Sequence, residues 1–103
     1  MEPTRTLHAI DLYNETRLRN DVYFATDKEG CGRIFDNELF LGRAMPKALV
    51  NPTEYTVSIF GRLCPEGNFR RRTYRSQKAA NAALIRYAEK ALQTSIRDAA
   101  INQ

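Results

Sequence analysis

The chain has 103 residues, of which 43% are hydrophobic and 27% are charged, and 16 lysines and arginines against 12 acidic residues give a formal net charge of +4. This length and composition predict a single α+β domain over residues 1–103, and they exclude two domains, a disordered chain and a coiled-coil or collagen-like rod. No apolar run approaches the ~20 residues of a membrane span, and Met1–Arg5 lacks the layout of a secretory signal, so we expect a cytoplasmic protein with no membrane partner.

The first half of the chain is predicted to contain one β-hairpin between two less regular segments. In residues 3–20 the apolar positions fit a helix slightly better than a strand, so we expect a helix there. The turn sequence Asp27–Gly30 separates two runs rich in β-branched and aromatic residues, which predicts an antiparallel hairpin over residues 22–35. Prolines interrupt the next segment, so residues 36–50 are expected to form a short helical turn and a connection.

The second half is predicted to form another hairpin followed by a long helix. Residues 54–60 alternate in polarity as a strand does, and Cys64–Gly67 has the residue types of a bulged type I turn, so we expect a hairpin over residues 54–75. Ser76 is a helix N-cap before an alanine-rich run, which predicts a helix over residues 77–97. The predicted fold class is therefore α+β, a small single domain with two antiparallel hairpins and a C-terminal helix that covers an apolar sheet face.

The positive charge is concentrated in one short stretch. Residues 62–78 contain six basic side chains and one acidic one, whereas residues 1–61 contain seven and nine, and residues 79–103 contain three and two. Because arginine directs two donors toward an anion, a stretch this rich in arginine can bind phosphate or an acidic protein surface. A solvated strand face with no binding role is the alternative that short basic runs also allow.

The predicted turn also sets a register for the second hairpin. In that register Arg62 lies opposite Arg70, Phe60 opposite Arg72, and Ser58 opposite Tyr74. One open face would then interleave basic, aromatic and hydroxyl side chains, as suits contact with nucleic acid. The predicted binding residues are Phe60, Arg62, Arg70, Arg72 and Tyr74 on this face, with Arg71 and Arg75 at the margin of the other face. Alternatively, Phe60 and Tyr74 pack under the first half of the chain while the arginine head groups reach solvent.

Side chains typical of catalytic and metal sites are scarce. His8 is the only histidine, and Cys31 and Cys64 are the only cysteines, which is too few for a zinc site or a disulfide framework. The sequence contains no phosphate-binding glycine loop, nucleophile elbow or nucleotide fingerprint. Acidic pairs such as Asp27 with Glu29 are expected to be solvated charges. We therefore expect no enzymatic activity, no cofactor, no metal and two free thiols.

The order strand, turn, strand and capped helix, with the pattern Tyr74-x-Ser76-x-x-x-Ala80-x-x-Ala83, resembles two groups of DNA-binding domains. These are the sheet-and-helix domains of plant ethylene-response factors and the arm-binding domains of tyrosine recombinases. The resemblance covers residues 54–92 and implies a sheet set in the major groove. It further implies base or phosphate contacts from Arg62, Arg70 and Arg72, and an aromatic Tyr74 that closes the last strand. In such domains that aromatic side chain points inward, which conflicts with the register given above.

Two functions from different classes remain open on the sequence. The first is a small cytoplasmic protein that binds nucleic acid through an arginine-rich sheet face. The second is a protein inhibitor or interaction module, such as a small phage-type anti-defence protein (anti-CRISPR or anti-restriction) that blocks a nuclease or a ribonucleoprotein complex. Its arginines would meet an acidic protein surface, or the acidic residues of the first half would imitate phosphates. The helix start Ser76-x-Lys78-x-Ala80 is also similar to that of double-stranded RNA-binding domains, so DNA and RNA both stay open.

Overall fold

Over the residues that the computed structural model describes, 2–19, 21–64 and 70–101, the chain forms one seven-stranded antiparallel sheet and one C-terminal helix. For residues 70, 71 and 94–101 this description covers the backbone only. The strands are β1 Arg5–Leu7, β2 Ile10–Arg19, β3 Val22–Thr26, β4 Gly32–Asp36, β5 Leu39–Pro46, β6 Tyr55–Ile59 and β7 Arg70–Tyr74. A 3-10 turn spans Gly61–Leu63, and helix α1 spans Gln77–Ile101. Each strand pairs with the next along the chain, so β1 and β7 are the two sheet edges.

The α+β class is confirmed, but the sheet is larger than the two predicted hairpins. The hairpin predicted over residues 22–35 is present as β3 and β4, and β6 pairs with β7 within the predicted range 54–75. The helix predicted in residues 3–20 is wrong, since β1 and β2 occupy that segment. The helical turn predicted in residues 36–50 is also wrong, since β5 occupies most of it.

The N-terminal hairpin was missed because its turn has no recognisable sequence signal. Leu7 pairs with Ile10, so His8 and Ala9 alone form the turn, and both have positive φ, 54° and 65°. Two-residue hairpin turns with two positive φ angles normally use asparagine, aspartate or glycine. Neither histidine nor alanine predicts such a turn. Without a turn signal, the spacing of the apolar residues in this segment favours a helix.

Strand β5 was missed for a different reason, a bulge that breaks its alternation. Phe35 pairs with Phe40 while Ile34 pairs with Gly42, so Leu41 is one residue more than β4 can match. A bulge of this kind shifts the side chains beyond it to the other sheet face. Leu41 is fully buried in the core under α1 as a result, and the apolar residues of β5 do not follow a period of two.

Helix α1 begins where the sequence predicts. The Ser76 hydroxyl accepts a hydrogen bond from the Ala79 backbone N–H at 3.1 Å, which is an N-cap contact. The predicted range 77–97 is confirmed, and the helix continues to Ile101. Alanine side chains at its buried face let the helix lie close to the sheet. The main core is formed by Val22, Phe24, Ile34, Leu41, Ala44, Val57, Ile59, Leu63, Cys64, Ala80, Ala83, Leu84, Ala88 and Leu92.

Hydrogen bonds from the Asn81 side chain connect α1 to the turn between β3 and β4. The Asn81 side chain accepts a hydrogen bond from the Gly32 N–H at 2.9 Å and donates one to the Gly30 carbonyl at 2.9 Å. The Gln77 side-chain amide donates to Asn81 Oδ1 at 2.8 Å and to the Ala44 carbonyl at 3.1 Å. These bonds fix the rotation of the helix about its axis, and thereby decide which of its flanks faces β7.

A second, smaller core lies on the sheet face away from α1. It contains Leu12, Tyr23, Ala25 and Phe35, and Leu7 and Ile10 of the β1–β2 hairpin pack against it. His8 at the tip of that hairpin reaches the β4–β5 turn, where a ring nitrogen lies 2.9 Å from the Glu38 carbonyl oxygen. The N-terminal hairpin therefore covers part of the face that α1 leaves open.

Candidate nucleic-acid interface

The register of β6 and β7 decides where the predicted binding residues lie. Tyr55 pairs with Tyr74, Val57 with Arg72, and Ile59 with Arg70. The predicted register, with Ser58 opposite Tyr74, is therefore wrong by an odd number of residues, which exchanges the two faces of β7. The reason is that β6 ends at Ile59 and a 3-10 turn begins at Gly61, which has a φ of +62°. Residues 65–67 of the predicted four-residue turn lie outside the described residues.

The exchange moves Arg72 and Tyr74 to the side of the sheet that α1 covers. Opposed residues of an antiparallel pair share a face, and Val57, the partner of Arg72, is buried in the main core under α1. Tyr74 packs against the same core. The expected place of Tyr74 on an open face is therefore wrong.

The other residues predicted on the same open face of β6 and β7 do not form an exposed surface either. Ser58 and Thr56 are buried, with 1% and 8% exposure. The Phe60 ring packs edge-on against the Phe40 ring, with 5.1 Å between the ring centroids. Phe40 in turn stacks on Phe35. Phe60 thus adjoins the smaller core that the first half of the chain forms, as the alternative interpretation expected for this residue.

Arg62, Arg70, Arg71 and Arg75 occupy separate positions. Arg62 lies in the 3-10 turn and forms an ion pair with Asp36 at 2.6 Å between Nη1 and Oδ2. Arg70 and Arg71 pair through their backbones with Ile59 and Ser58, and their side chains lie outside the described residues. Arg75 is exposed just after β7, beside a shallow depression of about 410 Å³. The predicted set of binding residues is therefore divided among several places.

A different group of basic and tyrosine side chains comes together where β7 meets α1. We call it the basic seam and define it as Arg72, Tyr74, Arg86, Tyr87 and Lys90. Its centre is a hydrogen bond between the Tyr74 and Tyr87 hydroxyls at 2.5 Å. Arg86 and Lys90 are exposed and lie one helical turn apart on α1. They flank Tyr87, whose side chain faces β7. The seam thus joins an edge strand and a helix flank that are separate in the sequence.

The Tyr74 hydroxyl at the centre of the basic seam lies close enough to two arginines for their charges to act on it. Burial raises the pKa of the Tyr74 hydroxyl, and the hydrogen bond and charge of Tyr87 raise it further, while Arg86 and Arg72 lower it. The net shift is upward, so this hydroxyl is neutral at pH 7 and can donate a hydrogen bond. Both guanidinium groups are close enough to act on it. Among the described residues, no carboxylate forms an ion pair with Arg72 or Arg86.

Positive charge continues past the end of β7. Arg75 and Lys78 are both exposed, and the first turn of α1 contains no acidic residue. A helix N-terminus carries a partial positive charge of its own, which adds to these two side chains. The connection between β7 and α1 therefore extends the positive potential of the basic seam.

Some acidic residues of the first half, in contrast, form ion pairs within the fold. Glu15 binds Arg5 at 2.8 Å. Asp27 is buried, accepts backbone N–H bonds from Glu29 and Cys31 at 3.0 Å each, and forms an ion pair with Arg33 at 3.2 Å. The expectation that Asp27 is a solvated charge is wrong, because its carboxylate holds the β3–β4 turn together.

Neither cysteine belongs to the basic seam, and neither Cys31 nor Cys64 forms a disulfide. The Cys31 thiol donates to the Gln77 side-chain oxygen at 3.5 Å, and burial together with the Asp27 charge raises its pKa. Within the described part of the chain, no cluster of three histidine, cysteine or acidic side chains is placed to hold a metal ion. None of the described helical residues forms a segment apolar and long enough to cross a bilayer.

Comparison with family models, curated proteins and solved structures gives no match to this chain. Function therefore has to be inferred from the geometry of the basic seam. Sequence reasoning identified Arg72 and Tyr74 but missed Arg86 and Tyr87. A signal for Tyr87 is present in the sequence, since it lies three residues after Leu84 in the predicted helix, and a tyrosine on the apolar face of a helix needs a partner for its hydroxyl.

Proposed function

We propose that the protein binds nucleic acid along the basic seam. The observation that carries the proposal is the pair Arg72 and Arg86, which flank two tyrosine hydroxyls without a carboxylate partner among the described residues. Like charges at such a place repel one another and add little to the stability of the fold. A bound polyanion offsets that repulsion, and arginine and tyrosine side chains are common donors to phosphate.

A competing structural explanation is that the basic side chains only protect the edge of the sheet. Edge strands carry charged side chains that prevent pairing with other chains, and β7 is an edge strand rich in arginine. That explanation applies to Arg72 but not to Arg86 and Lys90, which lie on a helix. The basic seam brings the two groups together across α1 and β7, as is useful for an extended anionic ligand.

The alternative function is a protein inhibitor of the anti-defence kind, which has two forms. In the first, acidic residues of the first half imitate phosphates. Glu15, Asp27 and Asp36 form ion pairs within the fold, whereas Asp11, Asp21, Glu29 and Glu38 are exposed, so this form is also an outcome of the test below. The other form, in which the arginines meet an acidic protein surface, stays an outcome of the test below.

The test is a titration of the protein against fluorescein-labelled DNA duplex, RNA duplex and single strand, followed by anisotropy at salt concentrations from 50 to 200 mM. Neutralising three phosphates of a DNA duplex lowers the association constant about 40-fold over this range, because each contact adds about 0.9 to the slope of log K against log salt. We expect a linear plot with a slope of that order for at least one of the three ligands. Absence of binding to all three at 50 mM salt would contradict the proposed function and favour a protein partner.

A further inference from the structure

The hydroxyl pair at the centre of the basic seam has a spare hydrogen-bond donor. Each hydroxyl carries one proton, and the 2.5 Å bond between Tyr74 and Tyr87 uses only one of the two. Among the described residues, no other side chain or carbonyl bonds to either hydroxyl. The second proton is therefore available to an acceptor that the described part of the chain does not provide.

The surroundings of this donor select an anionic acceptor. Arg72 precedes Tyr74 by two residues on the same side of β7, and Arg86 is adjacent to Tyr87 on the exposed flank of α1. Guanidinium groups and a neutral hydroxyl are donors, and the Glu54 carboxylate, which lines the same depression as Tyr74, forms an ion pair with Lys47 at 3.1 Å. A phosphate group has acceptor oxygens that point in different directions, so it can accept from donors that approach from both β7 and α1.

Building on the proposed function, we infer that the Tyr74–Tyr87 hydroxyl pair, with Arg72 and Arg86 beside it, holds one phosphate group. The hydroxyls fix the position of that phosphate, and the two arginines neutralise its charge. The phosphate is either an internal phosphodiester of a nucleic acid or a terminal or free phosphate. A contact of this kind positions the ligand on the protein without reading base sequence.

The experiment compares the double variant Y74F/Y87F with the single variant Y55F. The double variant removes both hydroxyls and keeps both rings. Tyr55 is a matched control because it is half-buried and pairs with Tyr74 in the sheet. Thermal unfolding by circular dichroism checks that all variants are folded, and if the double variant is not, the phosphate titrations of the wild-type protein described below test the same inference.

We expect Y74F/Y87F to bind nucleic acid about tenfold more weakly than the wild type, because donors to charged acceptors contribute strongly to binding. The salt slope should stay the same, since no charge is removed. Y55F should bind like the wild type. If the folded double variant binds within twofold of the wild type, the hydroxyl pair holds no phosphate and the inference is overturned, while the proposed function stands.

The source of the phosphate is resolved in a second set of titrations. NMR signals of the tyrosine rings are followed as inorganic phosphate, a 5′-phosphorylated oligonucleotide and its 5′-hydroxyl counterpart are added at constant ionic strength. Shifts of Tyr74 and Tyr87 with all oligonucleotides support an internal phosphodiester, and shifts confined to inorganic phosphate and the 5′-phosphorylated strand support a terminal phosphate. Shifts with inorganic phosphate alone would contradict the proposed function and keep the phosphate site. No shift with any ligand would overturn the inference.

Discussion

Leu84→Ala removes the side chain at the centre of the contact between α1 and the sheet. Leu84 is fully buried, and it is among the largest side chains with no exposure. Truncation of a buried leucine to alanine costs about 2–5 kcal/mol, because the transfer free energy is lost and a cavity remains. For a chain of this length, a loss of about 3 kcal/mol lowers Tm by about 12–24 °C.

Urea unfolding followed by circular dichroism gives the free energy of unfolding of this variant. Leu49→Ala is the matched control, since the same side chain is removed at a position that is 96% exposed, and its effect should stay within about 0.5 kcal/mol. A cost for Leu84→Ala that equals that of the control would refute the packing of α1 described above.

Gly42 on β5 provides a second check on the same contact. A methyl group added there would lie 3.1 Å from Leu84 Cδ1 and 3.0 Å from the Ser58 carbonyl oxygen, so Gly42→Ala should cost about 1–3 kcal/mol. In the Leu84→Ala background the first contact is absent, and the double variant should lose at least about 0.5 kcal/mol less than the two single losses together. Strict additivity would mean that the two residues do not touch.

The other predictions concern the hydrogen bond between Asn81 and Gly32, the pKa values of two tyrosines and the reactivity of one thiol. Asn81→Leu should cost about 1–3 kcal/mol in urea unfolding, because it leaves the Gly32 N–H without its acceptor at 2.9 Å, and a cost near zero would contradict that role. Burial raises the pKa of both Tyr74 and Tyr23 above the ordinary value. The unfolded tyrosines therefore ionise first, and the free energy of unfolding should fall as the pH rises above about 10, whereas a rise would be inconsistent with these shifts. Burial likewise raises the pKa of Cys31, so iodoacetamide at pH 7 should modify it more slowly than free cysteine, and an equal or faster rate would oppose this.

Elements with strong local signals were predictable from the sequence. The N-cap Ser76 and the alanine-rich run after it specified α1, and the glycine turn after Asp27 specified the β3–β4 hairpin. Each depends on residues within a few positions of one another. The first strands and β5 were not predictable, because a turn formed by His8 and Ala9 and a bulge at Leu41 carry no clear residue preference.

The candidate site was only half predictable, since its two halves depend on long-range pairing. The density of arginine in residues 62–78 indicated a charged surface, but of those arginines only Arg72 belongs to the pair with Arg86 on which the proposal rests. Which arginines lie together depends on the register of β7, and a 3-10 turn at Gly61–Leu63 changed that register. Once Tyr74 faces α1, Arg86 and Tyr87 become its neighbours, and no local pattern contains that information.

The most direct test of nucleic-acid binding at the basic seam is the salt dependence of binding by the double variant R72A/R86A, with R17A as a control. Arg17 is exposed on β2 opposite Tyr23, on the sheet face away from α1. If the basic seam binds phosphates, the double variant should bind DNA duplex more weakly, and its slope of log K against log salt should be smaller in magnitude by about 1.8, or 0.9 for each lost contact. R17A should keep the wild-type slope. If R72A/R86A keeps the wild-type slope and affinity while remaining folded, nucleic acid does not bind at the basic seam.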